Sequence, residues 1–94
     1  MIMDNMRAHL FIDGRVQGVF YRGFTKELAQ KLELHGWVRN LSDGRVEAVL
    51  EGSKHLVDKA IKECHVGPPG SRITDIDVQW ETSSADKKGF FVRY

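Results

Sequence analysis

The stretch Gly14-Arg15-Val16-Gln17-Gly18-Val19-Phe20-Tyr21-Arg22 joins two segments of different hydrophobic period, so the chain must pass there from a strand into a helix. Before it, Ala8, Leu10 and Ile12 alternate with His9 and Phe11, the pattern of a strand that ends near Asp13 and Gly14. After it, Phe24, Leu28, Ala29 and Leu32 recur at helical spacing over residues 22–34, opposite Lys26, Glu27, Gln30, Lys31 and Glu33. Two glycines let the link curl. The amides of Gln17, Gly18, Val19, Phe20 and Tyr21, needed by neither strand nor helix, can then point at one anion ahead of a helix N-terminus. Arg22 adds a fixed charge and a planar fork that fits two oxygens of a phosphate. The same residues also suit a simple tight turn, and the nucleotide P-loop pattern is absent because no Gly-Lys-Ser/Thr follows.

Further along, His35 and Gly36 are expected to stop the first helix, the glycine taking a left-handed conformation. Residues 37–41 read as a second strand, Ser42-Asp43-Gly44 as a tight turn, and residues 45–51 as a third strand that returns beside it. Val46, Ala48 and Leu50 give the third strand its buried side, with Arg45, Glu47 and Glu51 facing away. Ser53 suits the N-cap of a second helix whose apolar positions are Leu56, Val57, Ala60, Ile61 and Cys64. Prolines at 68 and 69 make the next segment a connector. Ile76, Val78 and Trp80 point inward from a fourth strand over 73–80, residues 82–89 form a polar loop, and residues 90–94 make a short last strand. This order predicts an α+β, ferredoxin-like βαββαβ sandwich: an antiparallel sheet, two helices on one face, and a short extra C-terminal strand. The other face should be open to water, which accounts for Glu47, Glu51, Asp75 and Asp77 there.

The 94 residues suit one domain over 1–94, with residues 1–6 flexible. A formal net charge of +1 is too small for a general polyanion binder, so no nucleic-acid partner is expected. Lys88-Gly89-Phe90 has the start of an RNA-recognition signature but falls on the last strand rather than the third, where Glu47 and Glu51 would repel phosphate. Cys64 is the only cysteine, which excludes an intrachain disulfide and a multi-cysteine metal site. His9, His35, His55 and His65 are scattered, so neither a metal nor another cofactor is expected. No apolar run approaches the roughly 20 residues of a membrane span and the first residues lack a basic leader, which predicts a cytoplasmic protein without a membrane partner.

A second stretch, Gly36-Trp37-Val38-Arg39-Asn40-Leu41-Ser42-Asp43-Gly44-Arg45-Val46, sets an asparagine in a strand just before a turn. Asn40 suits two tasks: capping that turn through the local backbone, or holding a water by donor and acceptor against whatever the first stretch binds. Together the two stretches closely resemble the acylphosphatase family. The first matches its signature of an aliphatic residue, any residue, then Gly-x-Val-Gln-Gly-Val-x-aromatic-Arg, from Ile12 to Arg22. The second matches Gly-aromatic-small-basic-Asn, then Gly-x-Val and a later Gly, as residues 36–40, Gly44, Val46 and Gly52. Chain length, element order, the Gly67-Pro68 connector and the aromatic last strand extend the resemblance to nearly the whole chain. Tyr21 departs from it, phenylalanine being usual there, and its hydroxyl needs a partner or water.

The resemblance implies metal-independent hydrolysis of a small acyl phosphate to a carboxylate and inorganic phosphate. It also implies that Arg22 and the loop amides bind the phosphoryl group and that Asn40 orients the attacking water. The protein is expected to work as a monomer. The alternative from another class is a ferredoxin-like module that binds a small anion or RNA without turnover. Acylphosphatase-like segments also occur inside larger carbamoyl-phosphate-using maturation proteins, which the short chain speaks against.

Overall fold

A computed structural model describes residues 5–83 and 89–94. The chain runs β1 (Asn5–Arg15), α1 (Tyr21–Lys31), β2 (His35–Asn40), β3 (Val46–Ser53), α2 (Lys54–Val66), β4 (Arg72–Thr82) and β5 (Phe90–Arg93). Alternation along β1 sets the register on both its edges. Leu10 lies opposite Ala48 of β3 and Val78 of β4, and Ile12 opposite Val46 and Ile76, so the apolar positions of three strands share one face. Asn5 and Met6, expected in a flexible lead, pair with Ser53 and Gly52.

The sheet order is β4-β1-β3-β2-β5, the βαββαβ arrangement with its extra strand. One pairing corrects the all-antiparallel expectation: β5 runs parallel to β2, which makes the sheet mixed. Direction explains it. β1 and β2 point one way and β4 the other, so a strand that returns from the end of β4 to the β2 edge must run with β2. Residues 84–88 of the expected polar loop lie outside the described residues.

Both helices cover the apolar face. On α1 the fully buried stripe is Tyr21, Thr25 and Ala29, at a spacing of four, with Phe24, Leu28 and Leu32 flanking it half-buried. Thr25 spends its hydroxyl on the Tyr21 carbonyl, 2.9 Å away. On α2 the stripe is Val57, Ala60 and Cys64. Ser53 does occupy the N-cap, though its side chain makes no capping bond. The end of α1 differs from expectation. Leu34 N donates to Ala29 O at 2.8 Å and Glu33 N to Gln30 O at 3.1 Å, a Schellman stop in which Glu33, at φ 57°, is the left-handed residue. Gly36 instead belongs to β2, where a Cβ would fall 1.9 Å from the Val49 carbonyl oxygen, so close strand approach requires it.

The face without helices also corrects the sequence reading. Glu47 and Glu51, expected in water, are only 5% and 3% exposed. Long side chains of neighbouring strands lie over them. His9 Nε2 and Arg39 Nε each lie 2.6 Å from a Glu47 carboxylate oxygen, while Ser83 donates to Glu51 at 2.6 Å and Arg7 Nη1 stands 3.6 Å from it. His9 stacks on Phe11 and meets the edge of Trp37, and Arg93 lies 4.5 Å from the Trp37 ring centre. Burial works against a charged Glu47, but the bonds from His9 and Arg39 outweigh it and hold the carboxyl below its ordinary range. Asp75 and Asp77 do remain exposed. Trp80, expected inward, is 39% exposed because β4 is an edge strand; Lys54 at the start of α2 covers part of its ring at 4.9 Å.

Candidate functional site

The loop between β1 and α1 is anchored where it leaves the strand. Val16 is buried in the core, and the Gln17 side chain donates to Leu41 O at 2.8 Å and Arg45 O at 2.9 Å. Those carbonyls belong to the β2–β3 turn, so Gln17 straps the loop to the strand end that carries Asn40. Beyond these anchors Gly18, at φ 76°, and Phe20, at φ 65°, both adopt left-handed backbone, the second at a cost of about 1 kcal/mol for a residue with a side chain. Backbone of this kind turns successive amides toward one side. Among the described residues no backbone carbonyl accepts from the amides of Gln17, Gly18, Val19 or Phe20. Phe20 is the N-cap of α1 and offers no side-chain acceptor, and the first turn holds no acidic residue. The positive end of the helix is therefore left without a carboxylate of its own.

Arg22 stands in that first turn, its guanidinium 4.9 Å from the centre of the Tyr94 ring, and it makes no ion pair with a described residue. Asn40 ends β2 opposite Val46. Its amide oxygen is buried and accepts no hydrogen bond from a described residue, so the turn-capping task is not the one it performs. Asp43 does that work, accepting from Arg45 N at 3.1 Å and Arg45 Nε at 2.9 Å, and the bonds hold the Asp43 carboxyl below its ordinary range.

One pocket of about 370 Å³ brings these parts together: Gly18, Phe20, Tyr21 and Arg22 from the loop and helix start, and Asn40 from β2. Of the residues expected to bind phosphate, Gln17 and Val19 do not line it. The side chain of the first is the strap and that of the second packs half-buried against the core, so each has only its backbone amide to offer an anion. Lys26 and Tyr94 line the pocket and were missed, along with Val16, Gly23 and Val92. Lys26 was legible as the position four beyond Arg22 on one helix face; Tyr94 was not, because only the β2–β5 pairing brings the chain end to α1. Among the described residues no group of three His, Cys, Asp or Glu side chains could hold a metal ion.

Tyr21 has its partner. Its ring is buried and its hydroxyl donates to the Cys64 carbonyl at 2.7 Å. That carbonyl is one of the last four of α2, which no amide of the helix itself satisfies, so the hydroxyl caps α2 from α1. Burial pushes the Tyr21 hydroxyl well above its usual range and the Cys64 thiol up to about 12. Neither group ionises at neutral pH, and the thiol serves as packing.

Residues 8–92 match the family model for Acylphosphatase. The chain is 52% identical over 89 residues to an acylphosphatase of Pyrobaculum islandicum, covering 94% of each chain. It is 46% identical to an acylphosphatase of a Roseiflexus species, over 97% of this chain and 98% of that one. The crystal structure of acylphosphatase from Bacillus subtilis is similar with a TM-score of 0.92 and 37% identity, over 95% of this chain and 99% of that chain.

Proposed function

The chain belongs to the acylphosphatase family and hydrolyses acyl phosphates to a carboxylate and inorganic phosphate; from that premise we propose that Arg22 with the amides of residues 17–21 holds the phosphoryl group and that Asn40 holds the attacking water. The observation that carries this division is the shared pocket, in which a guanidinium and a buried amide oxygen, neither with a partner among the described residues, line one space. An orphaned acceptor of that kind is costly unless something donates to it during the working cycle, and a water does so while its lone pair stays free to attack.

Phosphoryl transfer asks the protein chiefly for position and charge stabilisation. Arg22 supplies two parallel donors, and the loop amides and helix N-terminus supply the rest for the equatorial oxygens as charge spreads over them. The water oxygen bonds to phosphorus as the phosphorus–oxygen bond to the acyl group breaks, and that electron pair stays on the leaving carboxylate. The conjugate acid of this group has a pKa of about 4, so no protein acid has to protonate it. The proton lost by the water passes to a phosphoryl oxygen of the substrate. A single domain over 1–94 that acts as a cytoplasmic monomer completes the reading. In the described residues no helix is long and apolar enough to cross a membrane.

The test is to mix the purified protein with benzoyl phosphate in excess chelator and follow loss of the anhydride. Acceleration that the chelator leaves intact is expected. Binding of phosphate without turnover would replace the hydrolase by an anion-binding module.

A further inference from the structure

We propose that Lys26 makes this pocket selective for acyl phosphates whose acyl half carries a second negative charge, an inference that rests on the phosphoryl group being held at Arg22. Lys26 lies four residues beyond Arg22 on α1, which puts the two side chains on one helix face with their Cβ atoms about 5–6 Å apart. Both line the pocket.

The surroundings of Lys26 set it apart from the other helical lysine with a resolved contact. Lys54 on α2 has Asp58 four residues on and sits 3.0 Å from its carboxylate. The residue four beyond Lys26 is the neutral Gln30, and Lys26, although half-buried, makes no ion pair or hydrogen bond with a described residue. No residue that lines the pocket is acidic. Among the described residues the site thus holds two side-chain cations and no acidic side chain. One cation and the loop amides suffice for the phosphoryl oxygens, and the other, a turn further along, is placed to meet a separate anion.

The walls give the acyl body somewhere to lie. Phe20 is 66% exposed and Tyr94 fully exposed, and both line the pocket beside Val16 and Val92. An acyl group with a short alkyl or aryl body rests on those surfaces while a carboxylate at its far end reaches Lys26. Hydrolysis of such a substrate releases a dicarboxylate and inorganic phosphate.

The experiment compares kcat/KM for benzoyl phosphate with that for 3-carboxybenzoyl and 4-carboxybenzoyl phosphate, in the unaltered protein and in Lys26→Met and Lys26→Arg. The better carboxylated substrate is expected to exceed benzoyl phosphate about tenfold, the contribution of one charge-assisted hydrogen bond. Lys26→Met should bring that ratio toward one and Lys26→Arg should retain it. Added salt should shrink the ratio in the unaltered protein, which decides the matter even if Lys26→Met does not fold. A ratio near one in the unaltered protein, a preference indifferent to salt, or a ratio unchanged by Lys26→Met because both substrates slow alike, overturns the proposal. Failure of the unaltered protein to turn over benzoyl phosphate would instead overturn the reaction on which it rests.

Discussion

The two faces of the sheet treat polar groups in opposite ways. On the face without helices, Glu47 is buried under His9 and Arg39, and Arg7 reaches both Glu51 and Glu81. On the face with helices, the polar groups at the open end do without such partners. Arg22 and Lys26 pair with no described carboxylate, and the Asn40 oxygen accepts from no described residue. A satisfied ion pair in a sheet is a structural element that resists change, whereas an unsatisfied donor or acceptor at a pocket is free energy held for a ligand. Charge alone does not reveal a site. The contrast lies in whether the charge has already been answered from within the fold.

The comparison breaks most decisively at Arg22. Arg22→Ala should lower kcat/KM by about a thousandfold and abolish the protection that inorganic phosphate gives against thermal unfolding. Arg22→Lys should recover little of either, since a point charge cannot replace the two-donor fork. Next, Asn40→Ala should cut turnover about a hundredfold while phosphate protection persists, as the lost contact is to water rather than to phosphate. Calorimetric melts with and without phosphate, beside initial rates, check both variants. Equal loss of phosphate binding in the two would show that the roles are not divided.

On the other face the losses should be of stability. Glu47→Gln should destabilise the fold by about 2 kcal/mol, a buried pair broken but screened by half-exposed Arg39, measured as a denaturant midpoint. Its pH dependence has a definite sign. The folded carboxyl of Glu47 is held below its unfolded value, so its contribution is present above about pH 4.3 and is lost as pH falls through the depressed folded value. Acid titration of stability should therefore be shallower in Glu47→Gln than in the unaltered protein. Smallest of all, Tyr21→Phe should cost about 1 kcal/mol by leaving the Cys64 carbonyl without its donor, read in the same denaturant series.

Element order was legible because period does not depend on tertiary context: β1 alternates and both helices carry apolar positions at helical spacing whatever they pack against. The loop of residues 14–22 and the Asn40 motif were equally plain as patterns. Less plain were the features that arise from neighbours. Period two told that Glu47 and Glu51 share a face away from Val46, Ala48 and Leu50, yet nothing local told that His9, Arg7 and Arg39 from adjacent strands would cover them. Glu33 took the left-handed stop because tertiary packing of Leu34 overrode the steric preference for glycine, and Gly36 was spent on strand contact instead.

By itself the sequence determined the elements, their order, the curl of residues 14–22 and the charges available to it, all consequences of local sterics and spacing. Only the tertiary structure decided that Arg22, Lys26, Asn40 and Tyr94 line one pocket, that Gln17 became a strap, and that the hydroxyl of Tyr21 was taken up by α2. The physical reason is distance along the chain. Asn40 and Tyr94 reach α1 through strand pairings, and such pairings follow from the burial of a whole sheet rather than from any residue's own preference.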